Sequence, residues 1–290
     1  MTIIATPMGY VMEAIYGFTQ NYGLSVILFA LLAKIIMLPL SIKQKKSMIS
    51  MQRINPKLRE LQKKYGNNQE KYNQEVMKLY EQENVSPMGG CGTMLLTFPI
   101  MIGLYYVVTQ PLTYFMHVPA EAITQMAELF EISTANYGYQ LQICGQFAQN
   151  FDQLKAISDA IFPVDFTFFG LDLTLTPSFK EFSALWIIPI LSAATAWMTS
   201  QVTNRLNKQV SGASASAEDE KTEQMNKSMT MMMPLMSGYF GFVLPAAVGI
   251  YWIANNLFTC LQEVLLTKYC LGQMENNQEL TNKTGGKKVK

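Results

Sequence analysis

Apolar residues crowd into five stretches of about 20 positions, and most charged residues fall between them. That is the length a helix needs to cross ~30 Å of hydrocarbon. The runs at 23–42, 87–110, 182–201, 228–244 and 245–269 therefore read as membrane spans. The first four carry internal prolines (Pro39, Pro99, Pro189, Pro234), tolerated where neighbouring groups re-satisfy the freed backbone. Between the spans the pattern takes the helical period. Met48, Met51, Ile54, Leu58, Leu61 and Tyr65 recur at spacings of three and four before Gly66-Asn67-Asn68 interrupts them. Tyr72, Val76, Leu79 and Tyr80 mark a second helix, so 43–86 reads as an amphipathic helical hairpin. Residues 1–22 suggest an interfacial helix. The segment 111–181 suggests amphipathic helices on the membrane surface and then a turn-rich lead, 168–179, into the third span. The expected fold is an all-α polytopic membrane protein with five transmembrane helices.

Composition sharpens this. Of 290 residues 49% are apolar and only 15% charged, against roughly 25% charged in soluble domains. The net charge of +1 hides a segregation. The hairpin is basic (Lys43, Lys45, Lys46, Arg53, Lys57, Arg59, Lys63, Lys64), as is the tail 270–290, which ends in Lys287, Lys288 and Lys290, while the loop 202–227 carries Arg205, Lys208, Lys221 and Lys227. The segment 111–181 is acidic. By the positive-inside rule the hairpin, loop and tail face the cytoplasm, with the N-terminus outside. The basic hairpin is either a solvated loop that sets topology or a docking surface for anionic headgroups, RNA or a partner protein.

One residue breaks the first span: Lys34, in Leu24–Ile42. A lysine near the bilayer centre costs roughly 2.5–3.5 kcal/mol. Ile42 lies about 12 Å further along the helix, too far for the side chain to snorkel to water without strain. A polar intramembrane site is the stronger reading.

Much chemistry is missing. His117 is the one histidine, so no multi-histidine metal site or histidine-dependent nucleophile can be built. Nucleotide fingerprints are absent, and the first four spans hold no carboxylate of the kind coupled carriers use. The chain is not expected to be an enzyme or to need a cofactor. Neutral polar company for Lys34 is available: Trp252, Asn255 and Asn256 on the fifth span, Thr97 on the second, Ser200 and Gln201 at the end of the third. Each can equally be a hydrogen bond between helices. Met232 and Met233, in a methionine-rich run, and Tyr251 offer flexible apolar surface that could touch a substrate or simply pack.

The order of these features resembles the YidC/Oxa/Alb superfamily of membrane protein insertases, in its short bacterial form. The matching stretches are 22–48, 51–66, 85–91, 98–106, 168–173, 188–197 and 243–262. Ser86-Pro87 stands where the family usually has Asn-Pro. The resemblance implies five spans around a hydrophilic groove open to the cytoplasm, with a cytoplasmic hairpin beside it. Lys34 takes the place of the family's groove arginine, and Trp252 falls at an aromatic position associated with substrate contact. It further implies a multi-pass protein of the bacterial cytoplasmic membrane, with nascent membrane proteins, the ribosome and the lipid bilayer as partners. Lys57, Arg59, Lys63 and Lys64 become the docking face of the hairpin. Whether the protein works alone or beside the general secretory translocon stays open. The rival reading is a small-anion transporter or channel that uses Lys34 as its binding site.

Overall fold

The computed structural model describes residues 2–83, 85, 102–103, 105–136, 138–211 and 220–285. Side chains are described over the same ranges except 2, 211, 220–230, 233 and 274–285. Most of the expected second span, with Thr97 and Pro99, therefore lies outside the described residues. So do the last tail lysines and the side chain of Met233. The described part is mainly helical: α1 (Thr2–Thr19), α2 (Tyr22–Ile36), α3 (Leu38–Tyr65), α4 (Gln69–Gln82), α5 (Pro111–Tyr114), α6 (Ala120–Leu129), α7 (Tyr139–Cys144) and α8 (Phe147–Ile157). A two-stranded hairpin follows, β1 (Thr167–Phe168) with β2 (Leu171–Asp172), then α9 (Ile187–Ser211), α10 (Glu220–Val243) and α11 (Ala246–Gly285).

The first span is not one straight rod. Its helix breaks at Met37, and α2 and α3 bend by 59°. Proline explains the break: Pro39 has no N–H to offer the carbonyl of Ile35, and its ring suits the first turn of a new helix. The last five residues of the expected span and the first arm of the hairpin are then one helix of 28 residues. Among the described residues, Ala184–Val210 is long and apolar enough to cross a membrane by itself, and α2 with α3 qualifies as a bent pair.

The chain forms two compact units. The first takes in Met1–Ile35, Leu96–Met198 and Asn226–Phe258. Its centre is aromatic: the fully buried Tyr22 ring tilts against Phe166 at 4.7 Å and Phe115 at 5.8 Å, and its hydroxyl donates to the Val108 carbonyl at 3.0 Å. Helix α1 meets α5 backbone to backbone, since a Cβ on Gly9 would stand 1.7 Å from the Tyr114 carbonyl oxygen. The segment 111–181 turns its apolar faces inward: Ile123, Met126, Ile143, Leu154 and Leu173 are buried in this core. The β hairpin turns through Phe169 and Gly170, both left-handed, the backbone a two-residue loop requires. Just beyond it, the carbonyls of Leu173 and Leu175 accept from the amides of Ala247 and Ala246. Two donors that would be orphaned at the start of α11 are thereby satisfied.

The second unit takes in Ile36–Leu95, Thr199–Met225 and Thr259–Lys290. Ile49 and Ile54 of α3, Leu79 of α4, and Leu266 and Cys270 of α11 are buried in it. The hairpin turn is capped by Asn68, whose Oδ1 accepts the Lys71 amide at 3.0 Å.

Candidate functional site

Lys34 occupies the last turn of α2 and is half-buried. The break at Met37 puts it at a helix C-terminus instead of mid-helix, beside an Ile35 carbonyl that Pro39 cannot serve. The negative end of a helix dipole favours a cation by about 0.3–1 kcal/mol. That is less than the roughly 2.5–3.5 kcal/mol expected for a lysine within a membrane span.

In the part of α11 that belongs to the first unit, Ala246, Ala247, Val248, Tyr251 and Ala254 are buried, while Leu257, and further along Leu261 and Leu265, are exposed. Trp252, Asn255 and Asn256 lie between these stripes, each half-buried. Asn256 makes a contact between helices: its Nδ2 donates to Thr195 Oγ1 on α9 at 3.3 Å, while Thr195 itself donates to the Leu191 carbonyl at 2.8 Å. A parallel rung joins α9 to α10, with Ser192 and Ser237 hydroxyls 2.8 Å apart. Trp252 meets Phe240 edge-on at 5.8 Å. Lys34, Trp252, Asn255 and Asn256 belong to the first unit.

The remaining candidates fall elsewhere. Tyr251 is 4% exposed and sits in the core of the first unit, so its side chain presents no surface. Met232 is exposed, and so are Met231, Leu235 and Met236, which widen the methionine face beyond the residues singled out from sequence. Ser200 and Gln201 are half-buried in the second unit. Thr97 and the Met233 side chain lie outside the described residues.

On the hairpin, Lys57 pairs with Glu83 across its two arms. Lys63 and Lys64 are exposed and Arg59 half-buried. Lys64 and Lys71 stand over the Tyr65 ring at 5.2 and 5.3 Å. The Lys78 ammonium, hydrogen-bonded to Glu75 at 2.7 Å, holds the Glu75 carboxyl below its ordinary range. Sequence reading missed the interior of this unit. Lys45, 3% exposed, pairs with Glu263, while Lys46 donates to Gln273 Oε1 at 2.7 Å. The signal was present: a lone carboxylate at the inner end of an apolar helix, in a chain whose first span runs into lysines.

The family described as "60Kd inner membrane protein" matches residues 14–273. The chain is 29% identical over 268 residues to the membrane protein insertase YidC of Caldanaerobacter subterraneus subsp. tengcongensis, covering 92% of this chain and 96% of that one. It is 32% identical over 248 residues to the protein of that name in Clostridium perfringens, covering 86% and 79%. With the one in Oceanobacillus iheyensis it shares 28% over 272 residues, covering 92% and 83%.

Proposed function

The chain belongs to the 60Kd inner membrane protein family, the family of the YidC insertases, and on that premise we propose that it is itself a membrane protein insertase. It acts without covalent chemistry or nucleotide. Lys34, at the broken end of α2, carries the reading. With Trp252, Asn255 and Asn256 it forms a polar groove that holds water within the inner leaflet and shortens the hydrophobic barrier. The short, often acidic outer segment of a substrate is drawn to the cation, and its apolar helix leaves along the lipid-facing edge, where Met232 and its exposed neighbours supply adaptable contacts. Attraction between substrate and groove is electrostatic and transient.

The protein sits in the bacterial cytoplasmic membrane with five spans, N-terminus outside and C-terminus inside. This topology rests on the charge asymmetry of its loops. The basic hairpin with Lys57, Arg59, Lys63 and Lys64, together with the basic tail, receives ribosomes carrying nascent membrane proteins through attraction to RNA phosphates.

Site-specific photocrosslinking tests the groove. A probe at Trp252 is presented with a ribosome-bound nascent chain bearing one span, with a probe at Phe130 as control. Crosslinks at 252 that rise as the span emerges and fade as the chain lengthens support an insertase groove. A silent probe at 252 in a correctly folded protein overturns it.

A further inference from the structure

A cleft of about 430 Å³ runs along the seam between α9 and α10, wholly within the first unit. Its floor is the point where the helices touch: a Cβ added to Gly238 would lie 3.3 Å from the Cβ of Ala193. Trp197, Leu235 and Tyr239 rise on its sides, all more than half exposed. Pro234 lies at one end; at the other, Phe179 stacks on Phe242 with ring centroids 4.0 Å apart. The α10 wall from Pro234 to Phe242 is about 12 Å long. Apart from backbone, the Tyr239 hydroxyl and the Trp197 indole N–H, the lining is hydrocarbon and aromatic ring.

Size and setting choose the occupant. A helix with its side chains is 10–12 Å across, so this volume would hold roughly a single turn of one. A hydrocarbon chain laid lengthwise fits the narrow seam. Within a bilayer such a chain gains nothing by leaving apolar surroundings, so its retention depends on close contact along the cleft and on what meets its headgroup. At the Phe179 end the chain continues into Lys180 and Glu181, both exposed and of opposite charge. The indole of Trp186 fixes this lip, donating to the carbonyls of Ser178 at 2.9 Å and Glu181 at 3.1 Å and meeting the Phe179 ring edge-on. One cation beside one anion matches a zwitterionic headgroup.

We propose that the seam between α9 and α10 binds one acyl chain of a zwitterionic phospholipid, its phosphate on Lys180 and its ammonium on Glu181. The proposal needs only the membrane setting. It shares Leu235 with the proposed exit face beside Met232 but no residue with the groove around Lys34, and lipid retention is read without any substrate.

The test uses the full chain purified in detergent, probed by native mass spectrometry with phosphatidylethanolamine or phosphatidylglycerol of identical acyl chains. A phosphatidylethanolamine carrying a diazirine in mid-chain maps the contact. Expected are one retained phosphatidylethanolamine, preferred over phosphatidylglycerol, and crosslinks within 193–197 and 234–239. Ala194→Phe, which fills the cleft from an exposed position, lowers the retained fraction about tenfold, through the roughly ten close atom contacts with the acyl chain that it displaces. Leu235→Ala, which removes a side wall, also lowers it and guards against misfolding of the larger variant; thermal unfolding is followed for both. Retention unchanged in both variants overturns the proposal, as do crosslinks spread equally over Leu261 and Leu265 of α11. A nascent span that crosslinks to a probe at Trp197 and displaces the lipid makes the occupant a helix, which also overturns it.

Discussion

Lys45 Nζ lies 2.5 Å from Glu263 Oε2, an ion pair between α3 and α11 in which the lysine is 3% exposed and the glutamate 23%. A buried pair contributes little over an apolar replacement, but removing one partner strands the other. Glu263→Gln should therefore destabilise the second unit by about 2–4 kcal/mol, the lower end reflecting the glutamate's partial exposure. The exchanged pair, Lys45→Glu with Glu263→Lys, should recover at least half of that loss. Thermal unfolding in detergent, with protease protection of the hairpin as a local reading, checks this. Strictly additive losses in the double variant would refute the pairing.

The groove reading makes Lys34 matter for its charge. Lys34→Ala should reduce insertion of a substrate with an acidic outer segment by about tenfold, the loss of roughly 1.4 kcal/mol of attraction. Lys34→Arg should retain insertion, because arginine keeps the charge and adds donors. An in vitro insertion assay with protease protection of the outer segment decides. Equal activity in both variants would sink the mechanism.

Asn256 and Trp252 lie four residues apart on α11 and should separate structural from functional roles. Asn256→Ala removes the donor to Thr195 and should cost about 0.6 kcal/mol, the mean for such bonds within membranes. In a double-mutant cycle with Thr195→Val the coupling should be of similar size. Trp252→Ala should instead lower nascent-chain crosslinking to a probe at Asn255 with little change in unfolding temperature. A Trp252 variant that loses stability and crosslinking in proportion would assign that residue to packing.

Cys144 is buried in the first unit, and burial pushes its thiol well above its ordinary range. The unfolded chain therefore gives up this proton first as pH rises. The stability difference between the protein and Cys144→Ala should be constant below the ordinary thiol value, about 8.5. Above it the difference should shift against the cysteine form by about 1.4 kcal/mol per pH unit. Chemical unfolding of both proteins at pH 7 to 10 measures the slope. Alkylation of Cys144 at pH 8 should proceed only as fast as unfolding exposes it, and rapid labelling of folded protein would contradict the burial.

Exposed charges should behave differently. Lys57 and its partner Glu83 are both solvent-accessible, so Lys57→Ala should change stability by less than about 0.5 kcal/mol. Reversing Lys57, Lys63 and Lys64 together should weaken ribosome binding and flatten its dependence on salt, as sedimentation at two ionic strengths would show. Ribosome binding unaffected by the reversal would remove the hairpin from docking.

Several features were legible in the chain itself because they depend only on local order. The helical hairpin follows from apolar residues at spacings of three and four and from the break at Gly66-Asn67-Asn68. The family resemblance rests on the linear succession of motifs and matches residues 14–273. Lys34 stands out because a charge in an apolar run carries its cost wherever the run folds.

Other features needed three dimensions. Hydropathy averages over a window, so it read 23–42 as one span; the missing amide of Pro39 decides that it is two helices meeting at 59°. Periodicity marked Asn256 as polar, but only the approach of α9 to α11 shows that it bonds Thr195. Tyr251, one residue from Trp252, is buried for the same kind of reason: neighbours on a helix point about 100° apart, and packing chooses which of them faces the core. Lys45 and Glu263, over 200 positions apart, could not be matched by spacing at all. Sequence by itself thus determined which segments are helical, apolar and charged, since propensity and hydrophobicity belong to the residues. Which polar groups meet was decided by tertiary structure, because a partner across the fold is a property of packing.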